Sequence, residues 1–148
     1  MSWKRGILQH LLISLLLLTG TAQAQADLYV ITSRDNPVDT LSAQEVRKLF
    51  LGRLHLFPGT DLEPLPIDMP QQDPVYQDFY QDVVGISLPK LKRYRAQYLF
   101  SGKGKVPLEV ETPLQLVGAI RQYPNAIGYV KDPQREMLEG VKILFRQP

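Results

Sequence analysis

"YPNAIGYVKD", residues 123–132, contains an apolar run, Ala126–Val130, that is too short for a helix and carries a tyrosine and a β-branched end. It reads as a buried strand. Pro124 sits just before it and stops the preceding helix. That helix opens with Thr112 at the N-cap and Pro113 at its first position, and Leu114, Val117 and Ile120 form its apolar stripe. Downstream, Val141–Phe145 supplies a closing strand. Upstream, Asp27–Thr32 is a first strand, followed by a loop through Asn36-Pro37.

The remaining segments alternate. Ser42-Ala43-Gln44-Glu45 is a capping box: the serine hydroxyl faces the N3 amide and the glutamate reaches back to the N-cap amide. Val46, Leu49 and Phe50 follow at helical spacing, and Gly52 stands where a left-handed residue ends a helix. Leu65–Asp68 is a short strand between prolines, expected near a sheet edge. Asp73 and Pro74 open a helix carrying Tyr76, Phe79, Tyr80 and Val83. Ser87 caps a further helix with Leu91, Tyr94 and Tyr98 on its stripe and Gly102 at its end. Strands interleaved with helices predict an α/β domain, a mixed sheet of about four or five strands flanked by helices. There are no repeats, low-complexity tracts or interdomain linker.

Residues 1–26 read differently. Lys4 and Arg5 precede an apolar run, Ile7–Leu18, and Ala22-Gln23-Ala24 has the small-x-small form of a signal-peptidase site, with Ala24-Gln25-Ala26 as a second candidate. The apolar core is about half of the roughly 20 residues a membrane-spanning helix needs. A cleaved signal peptide over 1–26 and a single domain over 27–148 are expected, with a periplasmic location and no membrane span after cleavage. No cysteine near the cleavage site is available for a lipid anchor. Without Lys4 and Arg5 the 17 basic residues fall to 15, equal to the 15 acidic ones. That balance argues against nucleic acid as a partner. The absence of cysteine removes disulfides, thiol catalysis and cysteine metal sites. Only His55 of the two histidines lies beyond the signal, too few for a histidine metal cluster. No cofactor is expected.

Lys90, Lys92, Arg93, Arg95, Lys103 and Lys105 form a basic stretch, and no acid lies between Val83 and Leu108. It is either an anion-attracting patch or a solvated helix face followed by a basic loop; the helix stripe assigns Lys92, Arg93 and Arg95 to the polar side. "SGKGKVP" (101–107) is not a P-loop, which requires GxxxxGK[ST] after a strand. Asp78 and Asp82, and Glu109 and Glu111, are paired carboxylates among polar residues, the usual setting of surface acids. No GxSxG, no HExxH and no nucleophile with an identifiable base is present, so the chain is not expected to be an enzyme.

"LSAQEVRKLFLGR" (41–53), "QYLFSGKGKVP" (97–107) and "YPNAIGYVKD" (123–132), in this order, resemble the substrate-binding protein family of the high-affinity phosphate ABC transporter. The resemblance covers about residues 28–145 and implies a periplasmic-binding-protein-like fold. Full members have two lobes; this chain resembles the crossover strand and the second lobe only. In the family, the phosphate grip is an arginine after the central strand followed by Ser-Gly-Thr at a helix N-terminus, where free amides, hydroxyls and the helix dipole meet the oxyanion. By register the arginine position falls at Asp68 or Met69, and the Ser-Gly-Thr positions fall at Asp73-Pro74-Val75. An aspartate repels an anion, proline lacks an amide hydrogen and valine lacks a hydroxyl.

The resemblance implies a small anionic solute as ligand, held weakly, near the C-terminal end of the first strand and its neighbouring loops. Candidate contacts are Ser33 and Arg34, Gln71 and Gln72, and Ser101 and Lys103. The alternative is an interaction or sensory accessory module on the same fold, with a membrane transporter or sensor as partner. Tyr76, Tyr80, Tyr94 and Tyr98 are then either an aromatic docking surface or core.

Overall fold

The computed structural model describes residues 26–148. The signal-peptide segment, all but its last residue, lies outside the described residues. The elements run β1 (Leu28–Ser33), α1 (Ala43–Phe50), β2 (Leu65–Asp68), α2 (Pro74–Asp78) continuing into a π-helical turn (Phe79–Val83), α3 (Leu88–Phe100), β3 (Leu108–Glu109), α4 (Pro113–Gln122), β4 (Ala126–Lys131), a 3-10 turn (Arg135–Leu138) and β5 (Val141–Gln147). The sheet order is β3-β2-β4-β1-β5. β2 runs parallel to β3 and β4, whereas β1 is antiparallel to both β4 and β5. The sheet is therefore mixed and has five strands.

The helix boundaries follow local chemistry. Ser42 Oγ accepts from the Glu45 amide at 3.2 Å, and Glu45 accepts from the Ser42 amide at 2.7 Å, closing the capping box. The Ser42 groups hold Glu45 below its ordinary value of 4.5. A lowered acid contributes stability above that value and loses it as pH falls further. Ser42→Ala is expected to cost about 1 kcal/mol in urea unfolding at neutral pH, with the difference shrinking in acid. Gly52 and Gly102 end α1 and α3 with φ of 70° and 66°. Ser87 occupies the N-cap of α3, but its side chain makes no capping hydrogen bond.

β2 lies near the sheet edge, as expected: only β3, a two-residue strand, lies outside it. Pro66 fits because β3 pairs only with Ile67 and Asp68, leaving Leu65 and Pro66 with β4 on one side alone. β3 itself escaped the sequence pattern, since two residues cannot display a period.

β4 is covered on both faces, as parallel strands in α/β folds are. Gly128 faces α4, where an added Cβ would come within 2.8 Å of Leu116 Cδ2. Tyr129, one residue on, faces the opposite side and stacks on Phe79 with ring centroids 3.8 Å apart. Phe50 of α1 meets Phe79 edge-on at 4.6 Å. On the two faces of the sheet the core gathers Val30, Ile31, Leu49, Ile67, Ile120 and Ile127, all nearly inaccessible to water. Gly128→Ala is expected to destabilise by about 1–3 kcal/mol in urea unfolding, because Leu116 must move within a packed interface.

Candidate functional site at the end of the second strand

β2 delivers Asp68 to the interior. The β2–β4 register sets it beside Tyr129, and only 3% of the residue is exposed. Three elements meet its carboxylate. Arg95 Nη2 of α3 donates to Oδ2 at 2.8 Å. Tyr80 of the π turn donates its hydroxyl, 2.9 Å from both carboxylate oxygens. Tyr129 donates to Oδ1 at 3.1 Å and itself accepts from the Met69 amide at 3.2 Å. Arg95 has further contacts: Nη1 donates to the Tyr76 hydroxyl at 2.9 Å, Nη2 also donates to the Tyr80 hydroxyl at 2.6 Å, and its guanidinium lies 4.9 Å from the centre of the Tyr80 ring.

Burial raises the Asp68 carboxyl above its ordinary 3.8, opposed most strongly by Arg95. For Arg95 burial acts downward, but the oxygens of Tyr80, Asp68 and Tyr76 outweigh it and hold the cation above its usual value. The two directions compete over the charge of Asp68. The geometry favours the ion pair, since a guanidinium and two hydroxyls all donate to the carboxylate. Burial, and then the Asp68 charge, push Tyr80 and Tyr129 up, so both hydroxyls keep their protons and donate.

This arrangement corrects the sequence picture at two points. Arg95 does not lie on the polar side of α3; it turns inward onto Asp68, four residues after the buried Leu91 on the same helix face. Asp68 does not confront an incoming anion, because it is itself the buried anion. Two signals were present: Arg95 stands at i+4 from Leu91, and Asp68 sits between the apolar Ile67 and Met69. The acid that balances the basic stretch comes from β2, far away in sequence.

The junction that follows is closed as well. Asp73 Oδ1 accepts from the Val75 amide at 2.8 Å, so the N-terminus of α2 is capped by the chain's own carboxylate. Pro74 offers no amide hydrogen. Among the described residues, no buried side-chain nitrogen or oxygen lacks a hydrogen-bond partner, and no three His, Cys, Asp or Glu side chains gather to hold a metal.

The six candidate contacts lie in separate places. Ser33 is buried and its hydroxyl accepts from the Asp35 amide at 3.3 Å, while Arg34 is exposed beside Gly140. Because β1 opposes β2 in direction, Ser33 and Arg34 stand at the other end of the sheet from Gln71 and Gln72. Gln71 lines a shallow pocket of about 360 Å³ with Tyr76, Lys92 and Arg95; Gln72 is exposed. Lys103 lines a different cleft, of about 740 Å³, with His55, Glu63 and Glu109. Ser101 donates to the Tyr98 carbonyl at the end of α3.

The tyrosines face inward. Tyr76 and Tyr80 are buried, and Tyr94 and Tyr98 are stacked and half-buried. The Tyr94 and Tyr98 hydroxyls donate to the Leu51 and Gly52 carbonyls at 2.6 and 2.8 Å. Tyr98 also explains two glycines, since a Cβ on either Gly52 or Gly104 would run into its hydroxyl. "FLGR" and "GKG" are thus two halves of one contact around a tyrosine.

The fold is one lobe of a periplasmic-binding-protein-like architecture. Solved structures that share it include an ABC-type phosphate transport receptor from Vibrio cholerae (TM-score 0.59, 14% identity, 80% of this chain and 45% of that one). PstS from Borrelia burgdorferi gives a TM-score of 0.62 at 15% identity, over 80% and 46% of the two chains. A protein described as a phosphate ABC transporter substrate-binding protein with bound phosphate, from Clostridium perfringens, gives 0.63 at 16%, over 80% and 44%. The chain spans less than half the length of each. No protein-family model matches the sequence, and comparison with curated proteins finds no relative.

Proposed function

We propose that this chain is an exported, periplasmic single-lobe module on a solute-binding fold that acts through a protein partner, a membrane-bound transporter or sensor component, and grips no free oxyanion at the end of β2. The observation that carries this reading is the buried Asp68 carboxylate, tied to Arg95, Tyr80 and Tyr129 where an anion-gripping cation would be needed. The capped start of α2 supports it further. The chain performs no catalysis in this reading. The last turn of α3, the loop after it and β3 expose Leu99, Phe100, Val106 and Leu108, with Phe100 93% exposed, and this is the surface on which a partner is to be sought.

A second reading, weak binding of a small anionic solute, is favoured by the pocket that gathers Gln71, Lys92 and Arg95. Gln72 is an exposed amide beside Gln71, whereas Arg34 and Lys103 lie away from this pocket and Ser33 and Ser101 are already engaged within the chain. Calorimetry of the purified protein with phosphate and sulfate separates the two. The first reading predicts no saturable heat at millimolar anion. Saturable micromolar binding, lost in Lys92→Ala, would establish the second.

A further inference from the structure

Three donors from three elements converge on one buried point. Arg95 Nη2, Tyr80 Oη and Tyr129 Oη stand 2.8, 2.9 and 3.1 Å from the carboxylate oxygens of Asp68. A guanidinium and two hydroxyls aimed at one place are the donor set that recognises a carboxylate. Each donor is also held by contacts that do not involve Asp68. Arg95 is fixed by the Tyr76 hydroxyl and lies over the Tyr80 ring. Tyr129 is held by stacking on Phe79 and by the Met69 amide. Tyr80 packs edge-on against Phe79, with ring centroids 5.1 Å apart. The cradle therefore does not depend on the carboxylate for its shape.

We propose that Arg95, Tyr80 and Tyr129 form an anion site that Asp68 occupies as an internal ligand, and that truncating Asp68 converts it into a site for a free one-carbon carboxylate. The inference deepens the reading of the β2 end as closed to free oxyanions. A carboxylate attached to the chain has an effective concentration that a dissolved anion does not match, so the intact protein takes none there. Removing it leaves a partly buried cation with converging donors and a cavity the size of the lost group, the condition under which a small ion of matching shape binds.

The test uses formate and the purified protein. Asp68→Ala removes one carboxylate and keeps Cβ. Formate is expected to raise the Tm of Asp68→Ala saturably by several degrees, more than chloride at equal ionic strength, with no such rise in the wild type. The rise should vanish in Asp68→Ala/Arg95→Met, and Asp68→Asn, which fills the cradle with an uncharged group, should not respond. If Asp68→Ala is unfolded in buffer, formate-dependent recovery of far-UV circular dichroism supports the site. Equal responses of the variant and the wild type, or of the single and double variants, would overturn it. So would an Asp68→Ala chain that stays unfolded in molar formate while Asp68→Asn folds. Phosphate binding by the wild type elsewhere would sink the functional reading and leave this site untouched.

Discussion

Replacing Arg95 with alanine is expected to cost about 3–5 kcal/mol of folding stability at neutral pH, measured by urea unfolding. The cost comes from what the substitution leaves behind. Asp68, 3% exposed in the intact protein, keeps only two tyrosine hydroxyls to satisfy its charge. The pH dependence has a definite sign. Asp68 already titrates above 3.8, and Arg95 is the strongest group opposing that rise. Without the cation it rises further. A carboxyl with a higher value folded than unfolded binds more protons in the folded state between the two values, so stability grows as pH falls through that window. The deficit of Arg95→Ala should therefore narrow as pH is lowered from neutral toward 3.8. Adding Asp68→Leu to Arg95→Met should recover much of the loss, because no buried charge remains unpaired. A loss below about 1 kcal/mol, the range of exposed ion pairs, would show that the pair is not buried in solution.

Phe79→Ala is expected to have a comparable effect, about 3–5 kcal/mol. Phe79 is fully buried and stacks on Tyr129 with ring planes 6° apart, while Phe50 and Tyr80 meet it edge-on. Removing the ring opens a cavity in the centre of the core and withdraws the support that aims the Tyr129 hydroxyl at Asp68. The Phe79 and Arg95 substitutions should consequently be non-additive, since both act on the same buried network. Phe100→Ala is the matched control: with Phe100 93% exposed, the change should stay within about 0.5 kcal/mol. Similar losses at Phe79 and Phe100 would contradict the packing described here.

What could be read without the structure was local. The capping box at Ser42 and Glu45, the left-handed glycines at 52 and 102 and the Pro74 and Pro113 helix starts all act over a few residues, and all five are present. The buried run at 126–130 needed only its composition and length. The parts that escaped are long-range. Arg95 and Asp68 meet across 27 residues of sequence, and helical periodicity ranks an arginine as polar whichever way it turns. A buried aspartate at a strand end looks like any turn-forming acid until its partners are known. Gly104 of the GKG loop is explained by a tyrosine hydroxyl that leaves no room for a Cβ there. The placement of the strand bearing Pro66 depended on β3, too short to announce itself.

Diffraction from crystals of the protein soaked in phosphate addresses the anion question at the atoms concerned. The account predicts Asp68 still bonded to Arg95, Tyr80 and Tyr129, with Asp73 capping α2 and no ion beside it. A tetrahedral ion coordinated at the start of α2, with Arg95 swung away from Asp68 to meet it, would contradict it.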